Sequence, residues 1–429
     1  MTDILSKYKN THFTELPTPA FIINEDKFNL NCQAMLKSVN DLRLKTGKNI
    51  LFRPHVKTHK TGQGTVRQLG HGVINHYERN TGSILVSTFS EARGILDYQE
   101  SFGEKYVDDI AFSIPVCIPQ YMTRLANTAN RVKTLRVFVD NEEHLNNLVE
   151  YGRLPGDKKW SLFVKLDMGT HRAGVVTESS EFQSLLKKIL SKDVKEVAEL
   201  YGFYAHCGHS YHASSASQAY QYFEDELKAV NNAAKKVVDM DESLLAKSLV
   251  LSVGATPTTT AVLHAKPDLT EYIRNELIGT LEVHCGNYCL YDLQQVSTGC
   301  VAPKNVAGFV LGSVLSSYPT RAEMLTDTGV LALSRETSTI AGFGYCINPD
   351  EILNDKFTSK GEWYVDRLSQ EHGILKPHAE VNCPNLLKLG SKVTILPQHA
   401  CITMAQFSYY FIVNKKGTVV DVWTPFQKW

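Results

Sequence analysis

The stretch ILFRPHVKTHK, residues 50–60, places Arg53, His55 and Lys57 at every second position, with Ile50, Phe52 and Val56 among the places between. In an extended strand successive side chains point to opposite faces, so this spacing predicts three basic groups on one face. A basic face that is also buried needs counter-charges or a ligand, because an unpartnered ammonium costs free energy. Working outward, the chain repeats the theme of a short apolar run. SILVSTF, DIAFSIPV, LRVFVD, SLFVKLDMG, LYGFYAHC, SLVLSVG and LIGTLEVHC follow in order up to about residue 290. Between several of them lie amphipathic stretches such as SEARGILDYQE, NEEHLNNLVEYG and ESSEFQSLLKKIL. In SQAYQYFEDELKAVNNAAKKVV, Phe223, Leu227, Val230 and Ala234 fall at helical spacing. Eight strands alternating with helices predict a (β/α)8 barrel. A doubly wound open sheet fits the same alternation, but the absence of a Gly-rich first turn favours closure.

Barrel strands alternate inward and outward, so Arg53, His55 and Lys57 should enter the lumen, Lys57 nearest the C-terminal rim. That rim is where such barrels build their sites, and the other strand ends are polar: Ser87, Asp140, Asp167, His206 and Ser252. A lysine there either snorkels to solvent or works with a depressed pKa or a covalent bond to a carbonyl cofactor. From about residue 295 the texture changes. VAGFVLGSVLSS, TIAGFGYCI, KVTILPQHACITM and QFSYYFIVNKKGTVVDVWTP are β-rich, and NKKGTV reads as a hairpin turn. The expected division is a barrel over 17–292 and an all-β domain over 293–429, joined by segment 1–16. The strand-like TPAFIINEDKF is also a candidate to join the β domain.

Lys and Arg total 45 and Asp and Glu total 45, so no global field draws nucleic acid or an anionic membrane. The opening MTDILSKYKNTHFTEL lacks a secretory apolar core, and no apolar run is long enough to span a bilayer. Nine scattered cysteines without a CxxC pair read as reduced thiols in the cytoplasm.

RPHVKTHK resembles the lysine motif of the fold-type III pyridoxal-phosphate enzymes related to D-threonine aldolase, eukaryotic D-serine dehydratase and alanine racemase. TPAFIINEDKFNLNCQAM, KLDMGTHRAGV, LEVHCGNYCLYD and PQHAC match further elements of that family in order along nearly the whole chain. The resemblance implies that Lys57 holds pyridoxal 5'-phosphate at the barrel mouth and that Arg172 lies near the ring oxygen or the substrate carboxylate. A phosphate needs backbone donors, small residues and hydroxyls at loop–helix junctions. SVGATPTTT, with Gly254 and Thr256, and HCGNY, with Gly286, Asn287 and Tyr288, follow adjacent strands and suit that role. Tyr204 shares the inward face and is the preferred partner for the pyridine nitrogen, with Tyr211 a further cofactor contact from the loop beyond.

His399 and Cys401 stand two residues apart, and on a strand both would project to one side, an imidazole–thiolate set that suits zinc. A buried cysteine beside a satisfied histidine reads equally well from spacing alone. In the resembled family the aldolase branch carries His-x-Asp here and the dehydratase branch His-x-Cys, so the resemblance implies zinc, completed by water and substrate, and dehydration of D-serine to pyruvate and ammonia. D-Threonine is an additional candidate substrate, and aldolase-type cleavage of D-3-hydroxy amino acids and a non-catalytic pyridoxal-phosphate protein are the alternatives. The resemblance also implies a homodimer, with no nucleic-acid or membrane partner.

Overall fold

Short apolar runs become strands because a parallel sheet covered on both faces buries every side chain. The structure, a computed structural model, describes residues 2–73, 82–262, 267–354, 361–381 and 386–429. Its strands in chain order are β1 (Ala20–Asn24), β2 (Ile50–Pro54), β3 (Ser83–Val86), β4 (Asp109–Phe112), β5 (Thr134–Val139), β6 (Trp160–Lys165), β7 (Ala198–Ala205), β8 (Val250–Val253) and β9 (Thr280–Cys285). They continue with β10 (Gly308–Tyr318), β11 (Glu323–Thr326), β12 (Gly344–Ile347), β13 (Trp363–Leu368), β14 (Gly373–Pro377), β15 (Lys392–Pro397), β16 (Tyr410–Val413) and β17 (Val419–Trp423). Two compact units form: one of Gln33–Ser210, Ala216–Gly286 and Phe426–Trp429, the other of Met1–Cys32, Tyr211–Ser215 and Asn287–Pro425.

In the first unit, β2 to β9 make one parallel sheet in the order β2-β9-β8-β7-β6-β5-β4-β3. A single bridge, His55 to Leu85, brings β2 toward β3, so the (β/α)8 barrel expected from the sequence is nearly closed. All eight predicted strands are present. Leu85, Ala111, Phe138, Phe163, Tyr204 and Val250 pack together as its core. Amphipathic helices cover the outside. Ser180–Ile189 buries Phe182, Leu185, Leu186 and Ile189, and the Ser179 side chain caps it by accepting from the Phe182 amide. The long helix Ala216–Met240 buries Phe223, Leu227, Val230 and Ala234, as the helical spacing predicts.

The basic face opened by Arg53 meets carboxylates. Arg53 donates from Nε to Glu282 at 3.0 Å and from NH1 to Asp109 at 2.7 Å. Asp109 is shared with Arg136 at 2.7 Å. Burial works against the Arg53 charge, but Asp109 and Glu282 outweigh it and hold its pKa well above the usual value. Arg53→Met leaves the buried Glu282 without its cation and Asp109 with Arg136 alone, and should destabilise the protein by about 3–5 kcal/mol. A urea melt of the variant checks this.

The strand reading of residues 50–57 is also shortened. Only Arg53 of the three basic residues lies within β2, His55 sits in the isolated bridge, and Lys57 lies in the turn beyond. The backbone changes partner at this point: the His55 amide donates to Cys285 and the Val56 amide to Leu85.

The second unit holds a nine-stranded sheet, β11-β14-β13-β12-β15-β10-β1-β16-β17. An additional β10–β11 pairing closes six of these strands, β10 to β15, into a small antiparallel barrel. β1 pairs antiparallel with β10 and parallel with β16. The predicted NKKGTV turn joins β16 to β17. Asn414 Oδ1 accepts from the Lys416 and Thr418 amides, and Gly417 takes φ +77°, which other residues adopt reluctantly. Among the described residues no helix is long and apolar enough to cross a membrane.

Candidate active site

The C-terminal rim of the barrel gathers basic and imidazole groups. His55 Nε2 lies 2.9 Å from Ser87 Oγ, which lies 3.1 Å from Ser113 Oγ. Lys165, the last residue of β6, donates from Nζ to the Ser113 carbonyl at 2.9 Å. His206, just past β7, contacts the Gly254 carbonyl at 2.7 Å through Nδ1. A carbonyl only accepts, so Nδ1 carries the proton. His284 on β9 stacks on Tyr204, with ring centroids 4.0 Å apart and planes 12° from parallel. Its Nδ1 lies 3.0 Å from Ser252 Oγ, while its buried Nε2 lacks a hydrogen-bond partner among the described residues.

Electrostatics at this rim run one way. Burial and then the Lys57 charge push His206 down to about 3. Burial and Lys57 also hold His55 well below its usual value, and burial with His206 does the same for His284. Lys165 falls to about 8 through burial and the charges of Arg172 and Lys57, against an opposing pull from Asp140. Three neutral imidazoles and a lysine that releases its proton readily mark a place short of negative charge. An anionic ligand would satisfy it.

The predicted cofactor residues of this unit meet there. Gly254 takes φ +142°, and a Cβ at that position would stand 2.1 Å from the His284 carbonyl, so only glycine fits. Thr256 opens the buried helix Thr256–Ala261 directly after it. A Cβ on Gly286 would stand 3.0 Å from the His55 carbonyl, which ties the second glycine loop to the lysine segment. Tyr204 is buried within the barrel core. Arg172 is solvent-exposed, yet its charge is felt by Lys165 and His206. A phosphate monoester on an aldehyde-bearing ring fits this donor set: a lysine amine, neutral rings, backbone at glycine and buried hydroxyls.

The second unit carries Tyr211, Asn287, Tyr288, His399 and Cys401. The His-x-Cys segment is not a strand. β15 ends at Pro397, His399 precedes the helix Ala400–Met404, and Cys401 lies in its first turn. The two side chains still engage each other. Burial lowers the His399 pKa, but the Cys401 sulfur charge, its hydrogen bond, Asp292 and Glu336 outweigh it and raise the imidazole to about 9. An imidazole and a cysteine sulfur are a donor pair that a borderline-soft cation can take, so the pair fits zinc. Among the described residues no cluster of three or more His, Cys, Asp or Glu is present. Tyr211 lies with its ring 6.4 Å from that of His399 and only 4° off parallel. Asn287 donates to Asp292 Oδ2, which also accepts from the Ala400 amide at 2.8 Å and so anchors the turn that presents the pair. Tyr288 is fully buried beside them in sequence.

Sequence reasoning missed Lys165, His284 and Asp292. Lys165 had a legible signal: it shares the inward parity of Ser161 and Phe163. Asp292 closes the LEVHCGNYCLYD motif without being singled out.

A lysine-bearing barrel rim and a separate antiparallel domain define the alanine-racemase-like class of fold-type III proteins. The family model described as alanine racemase, N-terminal domain, matches residues 30–274, and that of a putative serine dehydratase domain matches 307–413. The chain is 53% identical to the D-serine dehydratase of Saccharomyces cerevisiae, covering 100% of each. It is 39% identical to the D-serine dehydratase of Schizosaccharomyces pombe over 100% of this chain and 95% of that one. Among solved structures, D-threo-3-hydroxyaspartate dehydratase from Delftia sp. HT23 superposes with a TM-score of 0.76 at 25% identity, covering 97% of this chain and all of the other. The chain belongs to the D-serine dehydratase family, and it is a carbon–nitrogen lyase that dehydrates D-serine.

Proposed function

We propose that this enzyme converts D-serine to pyruvate and ammonia by β-elimination, using pyridoxal 5'-phosphate and zinc. The observation that carries the reading is the His399–Cys401 pair, presented at the start of the helix Ala400–Met404, on a chain whose full length matches D-serine dehydratases. Pyridoxal phosphate, when bound, supplies an aldehyde for covalent attachment of an amine and an electron sink for the α-carbon. Zinc, when bound by His399 and Cys401, supplies Lewis acidity at the β-hydroxyl, whose departure as free hydroxide is otherwise slow.

This chain's own residues do the rest. Lys57 would hold the cofactor through its amine and, with that amine free, would take the α-proton. Gly254, Thr256 and Gly286 would present backbone and hydroxyl donors to the phosphate. Arg172 would meet the ring oxygen or the substrate carboxylate. Tyr204 would offer its phenol to the ring nitrogen, a partner that leaves the ring a weak sink, and Tyr211 is a further cofactor contact in this reading. A weak sink suffices when the leaving group is activated separately. Loss of the α-proton and β-hydroxyl yields 2-aminoacrylic acid, which tautomerises and hydrolyses to pyruvate and ammonia once free. We propose a homodimer as the working form.

D-Threonine separates dehydration from cleavage. The expected product is 2-oxobutyrate, measured with lactate dehydrogenase and NADH. Acetaldehyde with equimolar glycine would instead assign the chain to the aldolase reaction.

A further inference from the structure

We infer that Glu226 is a positioning residue that sets the Gly254–Thr258 turn for phosphate, a role that rests on the pyridoxal-phosphate reading above. Glu226 lies on the buried face of the helix Ala216–Met240, among Phe223, Leu227 and Val230, and is 0% exposed. Its two oxygens serve two different segments. Oε1 accepts from the Cys207 amide, at 2.5 Å, in the loop that follows β7. Oε2 accepts from the Thr258 hydroxyl, at 3.1 Å, in the first turn of the helix Thr256–Ala261 that follows β8.

Thr258 Oγ1 in turn accepts from the Ala255 amide at 2.8 Å and lies 3.2 Å from the Ala255 carbonyl, which fixes the turn on Gly254. His206, the neighbour of Cys207, closes the circuit by donating to the Gly254 carbonyl. One carboxyl therefore ties the imidazole-bearing loop to the glycine–threonine loop. No ion pair among the described residues includes it, and burial raises its pKa to about 8, against the two hydrogen bonds that lower it. An uncompensated carboxyl in an apolar helix face costs stability compared with a leucine. What it supplies in return is the placement of two loops relative to each other.

The test is cofactor uptake, read by absorbance as pyridoxal phosphate is titrated into cofactor-stripped wild type, Glu226→Ala, Glu226→Gln and Thr258→Val, with thermal melts of each stripped protein. Glu226→Ala should weaken cofactor binding about tenfold or more, since both bonds go. Glu226→Gln keeps an acceptor for Cys207 and a polar contact to Thr258, and should stay within about threefold of wild type. Thr258→Val severs the leg to the turn alone and should also weaken binding, so a poorly folding alanine variant does not blunt the test. Wild-type affinity in Glu226→Ala or Thr258→Val would overturn the inference, as would a Glu226→Gln as weak as the alanine variant. A wild-type chain that takes up no pyridoxal phosphate is a different result: it overturns the cofactor assignment itself.

Discussion

Lys57→Ala should abolish the visible absorption of bound pyridoxal phosphate and lower pyruvate formation by about ten-thousandfold, the scale of losing a covalent anchor and a general base together. Lys57→Arg should fare no better, because a guanidinium keeps the charge but neither bonds an aldehyde nor accepts a proton near neutral pH. The informative contrast is Lys165→Ala. Lys165 sits on the same rim with its Nζ on the Ser113 carbonyl, and its pKa falls to about 8, so it is also a lysine that can shed its proton. If Lys57 is the attachment point, the Lys165 variant keeps the absorption band. A band that survives in Lys57→Ala and vanishes in Lys165→Ala would move the anchor to β6 and reassign the base with it.

Removing divalent metal should cost turnover about a thousandfold, the scale of several kcal/mol of leaving-group stabilisation, while the cofactor band stays in place. His399→Ala and Cys401→Ala should each reproduce the metal-free rate and no longer respond to added zinc. Asp292→Asn gives a graded version. It preserves an acceptor for the Ala400 amide but removes the buried charge that helps raise His399, so zinc affinity should drop by about tenfold or more with little change in the fully loaded rate. The two experiments separate the α- and β-carbon chemistry: one abolishes the band and the rate, the other only the rate.

The barrel was legible because most positions of its strands are buried and read as short apolar runs, while its helices expose one polar face. The small second barrel was less so, since its closure depends on β10 pairing with β11 as well as β15, a choice that alternation does not encode. Local geometry failed at two places for related reasons. A spacing of two places side chains together on a strand, but His399 and Cys401 are brought together by the first turn of a helix after Pro397 ends β15. Arg53, His55 and Lys57 shared a parity, yet β2 stops at Pro54 and leaves Lys57 in a turn. The organising carboxylates lay beyond reach for a different reason. Asp292 meets the Ala400 amide across 108 positions, and Glu226 meets Thr258 across 32. No periodicity announces a partner at such separations.

The most direct test is pyruvate release from D-serine and from L-serine by the metal-stripped enzyme, before and after zinc is restored, with pyridoxal phosphate present throughout. The account predicts pyruvate and ammonia in equal amounts from D-serine alone, nearly none without metal, and recovery on adding zinc. Full activity in the stripped protein, or equal turnover of the L-isomer, would contradict it.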